Sequence, residues 1–177
     1  MEGETARKAA DAAKREAALK MIEASKQGDI KEMKRLRAAG ARWDKRTCEG
    51  AARGGHLEAL QWARQSGCPW DTWTCANAAL GGSFEVLRWA RENGCPWDKW
   101  TCAWAAHRGH SKILQWARAN GCEWDAWTTT GAASCGHFGI LRWARKNGCP
   151  WDKNRCCAEA SARGDADVAA WIEAQPE

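Results

Sequence analysis

The sequence predicts an all-α solenoid of stacked helix-turn-helix repeats, and three observations carry that prediction. Trp43, Trp70, Trp97, Trp124 and Trp151 recur every 27 residues, each followed by Asp. The same period governs a second Trp series (Trp62, Trp89, Trp116, Trp143), an Arg series (Arg37, Arg64, Arg91, Arg118, Arg145) and a Gly series (Gly40, Gly67, Gly94, Gly121, Gly148). A strict period of roughly 20–50 residues marks units that cannot bury their own apolar face and must stack on neighbours. Finally, no stretch alternates apolar and polar residues as a half-buried strand does, while each unit splits into two short helical patterns.

The elements follow in chain order. "TARKAADAAKREAA" near the N-terminus is Ala-rich with mixed charge, and its helix propensity predicts a first helix of about 20 residues. In the central units Thr101 is the expected N-cap of a first helix. Cys102, Ala105, Ala106 and Gly109 then fall at i, i+3, i+4 and i+7, a face of small residues that admits a close neighbour. Gly109 breaks this helix and His110 opens the second, whose apolar stripe is Ile113, Leu114, Trp116 and Ala117. Gly121 ends it at C′, and Pro69, Pro96 and Pro150 forbid continuation. The last unit drifts: "WDKNRCC" has one residue more than "WDKWTC" before its second Cys, which aligns Cys157 with Cys102, Gly164 with Gly109 and Trp171 with the second Trp series. Glu159, Arg163, Asp165, Asp167 and Glu173 give this unit the polar face that a terminal repeat needs.

These residues resemble the ankyrin repeat. "GHLEALQWARQSGC" (Gly55–Cys68) is similar to the ankyrin second helix, and "TCAWAAHRGH" (Thr101–His110) to the first helix and turn, shortened by a residue. "GCPWD" stands where ankyrins carry an inward Val, which makes Trp97 its counterpart. The resemblance covers residues 16–177, with "AALKMIEASKQGDIKEMKRLRAAGA" (Ala17–Ala41) similar to a capping repeat. Ankyrin repeats run to roughly 33 residues, so these short Trp/Cys-rich units lack about six, between Asp98 and Thr101. The resemblance therefore implies a solenoid with shortened loops and no β-hairpin finger. It divides into residues 1–42 (extended helix and capping repeat), 43–150 (four 27-residue repeats) and 151–177 (C-terminal capping repeat), one continuous domain of six helix pairs. It further implies protein–protein binding without catalysis.

Composition narrows the function classes. Ten Cys without a secretory segment point to free thiols in a reducing intracellular compartment, cytoplasmic or nuclear. Mean hydropathy is −0.65, and no apolar run approaches the roughly 18–20 residues of a membrane helix. The net charge of +5 is concentrated at the N-terminus, where Lys31, Lys34, Arg35, Arg37, Arg42, Lys45 and Arg46 predict a basic surface.

Chemical motifs are absent where they would be needed. Cys48, Cys75, Cys102 and Cys157 hold one repeat position, and Cys68, Cys95, Cys122 and Cys149 another; both read as small buried fillers. No C-x2-C spacing supports zinc. Cys135 and Cys156 lie outside both series and are the expected reactive thiols. His56, His110 and His137 share one slot and read as local packing. The Arg series suits helix C-termini and stacking on the Trp of the following loop; the Asp series caps the first helix or ties the loop to backbone N–H groups. No nucleophile–base pair and no phosphate loop emerges. The expectation is no catalytic residue, no metal and no cofactor.

What escapes the period is the candidate site. Trp73, Trp100 and Trp127 occur in only three central units, with Arg46 and Asn154 in the flanking ones, and Trp104 occurs once. Invariant positions serve packing, varying ones serve specificity, and Trp is enriched in binding hot spots. Trp73, Trp100, Trp104, Trp127, Lys99, His107 and Arg108 are therefore the expected partner-binding residues of a monomeric protein-interaction module. Two other readings stay open: nucleic-acid or ribonucleoprotein binding through the N-terminal basic patch, and an engineered consensus-like scaffold. Thr129, Cys135, Gly139 and the extra residue near Arg155 are irregularities that speak against the scaffold.

Overall fold

The computed structural model describes residues 2–176. Among the described residues there are twelve helices and no strand. They form six pairs: α1 (Glu2–Lys26) with α2 (Ile30–Ala38), α3 (Lys45–Gly54) with α4 (Leu57–Gln65), α5 (Thr72–Leu80) with α6 (Phe84–Glu92), α7 (Lys99–His107) with α8 (Ser111–Ala119), α9 (Ala126–Ser134) with α10 (Phe138–Lys146), and α11 (Lys153–Ala162) with α12 (Ala166–Glu173). Helix α1 is longer than the propensity reading gave, at 25 residues. Its second half buries Met21 and Ile22, and Asp11 to Arg15 ahead of it are exposed.

The first helices α1, α3, α5, α7, α9 and α11 stack directly on one another, and each second helix packs on its own partner. The reason is side-chain size. Ala51, Ala52, Ala78, Ala79, Ala105, Ala106 and Ala132 are fully buried at this seam, and small residues let backbones approach closely. A Cβ on Gly81 would sit 2.1 Å from the carbonyl oxygen of Arg53. The second helices contribute the bulkier layer, Leu60, Leu87, Leu114 and Leu141, all fully buried.

Each first helix from α3 onward is capped by the Asp of the Trp-Asp pair. Asp98 Oδ1 accepts from the Trp100 N–H at 3.0 Å, with Asp71 and Asp125 doing the same for Trp73 and Trp127. The expectation that Thr101 is the N-cap is thus corrected. Thr101 lies inside α7, fully buried, because the Asp carboxylate reaches the free helix N–H groups three residues earlier.

The loop between units is held by a repeated clamp. Arg37, Arg64, Arg91, Arg118 and Arg145 lay their guanidinium groups 4.7, 4.0, 4.2, 4.2 and 4.1 Å from the ring centroids of Trp43, Trp70, Trp97, Trp124 and Trp151. The same guanidinium donates to the carbonyl four residues on, as Arg91 does to Cys95. Trp43, Trp70, Trp97 and Trp124 also meet the next second-helix Trp in a T-shaped contact, as in Trp97–Trp116 at 5.7 Å and 71°. Such contacts are worth about 0.5–2 kcal/mol each. The cysteines also hold structure. Cys95 Sγ donates to the Asp71 carbonyl at 3.4 Å and Cys122 Sγ to that of Asp98 at 3.2 Å. Cys102 lies against the Cys122 thiol, and that contact, followed by burial, pushes Cys102 far above the usual thiol range. His110 and His137 pack on the turns of the preceding units: Gly82 and Gly109 have φ +75° and +80°, and a Cβ there would strike these imidazoles.

The last unit departs from the expected alignment. Cys156, four residues after Asp152 as Cys102 is after Asp98, is fully buried and takes the repeat slot. Cys157 is half-exposed. The extra residue therefore lies later, inside α11, which has ten residues where α7 and α9 have nine. The expectation of a reactive Cys156 is withdrawn on this burial.

Candidate partner-binding groove

The cap geometry that starts each first helix also sets the candidate site. Trp73, Trp100 and Trp127 each follow the capping Asp by two residues, so all three emerge from the first turn of stacked helices. Trp73 and Trp100 lie 6.3 Å apart at 17°, Trp100 and Trp127 6.1 Å apart at 38°. Packed helix axes are roughly 8–10 Å apart, so the rings converge into a ladder. Trp73 is 42% and Trp127 44% exposed. Trp100 is half-buried between them.

One turn further along α7, Trp104 lies 6.5 Å from Trp100 and edge-on to His107 at 5.3 Å. The equivalent residue on α9 is Gly131, where a Cβ would lie 3.3 Å from that of His107. The result is a groove of about 270 Å³ between α7, α9 and α11, lined by Trp100, Trp104, Trp127, His107, Thr130, Gly131, Ser134, Arg155 and Glu159 among others. Arg155 closes the end of the ladder, with its guanidinium 4.3 Å from the Trp127 ring centroid.

Electrostatics give the groove a mixed wall. Burial, then Arg108 and His137, lower the His107 pKa below its ordinary 6.5, so the imidazole is neutral at pH 7. Its Nδ1 is buried and has no hydrogen-bond partner among the described residues. Arg155 and Glu159 supply one charge of each sign. The floor is apolar, which suits a hydrophobic or aromatic side chain with a polar backbone beside it.

The expected site residues separate into three groups. Trp100, Trp104, Trp127 and His107 come together in the groove, and Trp73 extends the ladder beyond it. Lys99 is turned to the next unit, where its Nζ meets Asp125 at 2.8 Å; that bond raises its pKa. Lys45 meets Asp71 in the same way at 2.6 Å, so Lys99 has a structural duty the sequence did not reveal. Arg108 is exposed at the C-cap of α7 and does not line the groove. Sequence reasoning missed Thr130, Ser134, Arg155 and Glu159. The signal for Arg155 is the altered cap of the last unit, where Asp152 accepts from the third N–H rather than the second.

The fold this geometry defines is a helical-repeat solenoid of the ankyrin type, with short loops in place of hairpins. In structure the chain is similar to the human ASB11 ankyrin repeat domain, with a TM-score of 0.65 and 18% identity over 86% of this chain and 81% of that one. At that identity the likeness establishes the fold. No family model matches the chain, and no curated protein matches it in sequence.

Proposed function

We propose that the chain is a non-enzymatic protein-interaction module that binds a protein partner through the Trp ladder and the groove beside it. The single observation that carries this is the ladder itself. Three adjacent indoles, two of them more than 40% exposed, stand at positions the repeat does not require, above a groove floored by a fourth. Large exposed aromatics are rare on a monomer surface and are the residues that dominate binding energies. The fold supports the reading, since stacked repeats present extended binding faces. In it, residues 43–150 carry most of the face, α11 of the C-terminal unit closes its end through Arg155 and Glu159, and residues 1–42 and 151–177 cap the stack of a monomeric protein. Catalysis, a metal and a cofactor have no part in it.

The nucleic-acid alternative lacks comparable support. Of the seven basic residues expected at the N-terminal end, four are engaged within the fold: Arg35 pairs with Glu32, Arg46 with Asp44 and Lys45 with Asp71, and Arg37 is spent on Trp43, which leaves Lys31, Lys34 and Arg42. An electrostatic nucleic-acid surface needs cations that remain available to phosphates. The engineered-scaffold reading is weakened by the insertion in α11 and by the unequal caps.

The test is a cross-linking pull-down from native cells with the wild-type chain and a Trp100→Ala/Trp104→Ala variant. Proteins retained by the wild type and lost from the folded variant are expected. An identical retained set would remove the groove from consideration.

A further inference from the structure

We propose a second docking site, on the second-helix side, that takes one phenylalanine side chain presented by a bound polypeptide. The repeats themselves point to it. Phe84 packs edge-on against Trp116 at 5.6 Å and 84°, and Phe138 against Trp171 at 5.1 Å and 78°. Lys112 covers the Phe84 ring, its Nζ 4.3 Å from the centroid. In the intervening unit both the ring and its cover are missing. Ser111 stands 32 residues before Trp143, as Phe84 stands 32 before Trp116. Gly139 stands 28 residues after Ser111, as Lys112 stands 28 after Phe84.

The two small residues open a groove of about 400 Å³ between α8 and α10, with Leu114, Ile140, Phe138 and Trp143 among its walls. A Cβ on Gly139 would meet nothing within 4 Å, so the entrance is clear. Trp143 lines the groove at the position where Trp116 and Trp171 take a phenyl ring. The occupant that fits is the group found in two of the other units. The adjoining Ser111 hydroxyl and Gln115 amide stand ready for the peptide groups of the segment that carries it. This site is separate from the Trp ladder, and the two stand or fall independently.

The experiment titrates the isotope-labelled chain with N-acetyl-phenylalanine amide, following amide and indole N–H resonances, with the leucine and alanine analogues as comparisons. Saturable shifts centred on the Trp143 indole and Gly139 are expected, with a dissociation constant of the order of a millimolar for so small a probe. The alanine analogue should bind about tenfold more weakly. Ser111→Phe should fill the slot, abolish the shifts and raise the thermal midpoint; Ser111→Leu, which installs the residue found at position 57, serves if that variant does not fold. Absent or unsaturable shifts overturn the proposal, as do shifts that survive both fillings or equal binding of the leucine analogue. Shifts centred on Trp104 and Trp127 would also overturn it, while leaving the first-helix groove as the binding face.

Discussion

Arg91 illustrates how much one residue carries in this fold. Its guanidinium covers Trp97, donates to the Cys95 carbonyl and places a cation at the end of α6, where the helix dipole favours it. The recurrence of Arg before the helix-ending Gly made the stacking legible in sequence. His107 shows the opposite case. Nothing in its spacing separates it from a solvated residue, because its burial is created by Trp104 on its own helix and by the absence of a side chain at Gly131 on the next. Its lowered pKa has a definite consequence. The unfolded chain takes up a proton near pH 6.5 and the folded chain only at lower pH, so stability is complete above about 6.5 and is lost as pH falls through the folded value. An NMR titration of the His107 ring should give a midpoint below 6.5, and the acid-side drop in thermal midpoint should shrink in His107→Gln. A midpoint at or above 6.5 would refute the buried environment.

At the scale of the element, the helix pairs and their ends were legible from Gly, Pro and the small-residue faces, while the first-helix start was legible only as two candidates, the Asp series, which the caps bear out, and Thr101. Thr101 and Asp98 both carry capping side chains, and only the geometry decides between them. That decision can be checked by two substitutions. Asp98→Ala removes the cap and should cost about 1 kcal/mol, a fall of roughly 2–4 °C in thermal midpoint for a chain of this size. Thr101→Val should be neutral or stabilising by up to about 1 kcal/mol, because the Thr101 hydroxyl is buried without a partner among the described residues. The reverse pattern would restore Thr101 as the cap. The insertion in the last unit was also misplaced from sequence, since two adjacent cysteines, Cys156 and Cys157, fit the slot equally well by type. Burial assigns it to Cys156. The contact of Cys102 with Cys122 was hidden for a related reason: it joins the two Cys series, whereas periodicity compares only members of one.

For the whole molecule, the 27-residue period gives the order and stacking of the elements, because each unit contacts only its neighbours. The groove was half legible. Its tryptophans stand out as the positions that vary, whereas Thr130, Ser134, Arg155 and Glu159 join them only through the spacing of three stacked helices. The tryptophans divide into those that hold the solenoid and those it can spare. Comparing the thermal midpoints of Trp97→Ala and of Trp73→Ala/Trp127→Ala tests that division directly. Trp97, clamped between Arg91 and Trp116, should cost about 2–3 kcal/mol, or roughly 5–10 °C. The double variant should stay within about 3 °C of the wild type, since both rings are more than 40% exposed. A double variant that melts as early as Trp97→Ala would contradict the account, making the ladder part of what holds the fold together.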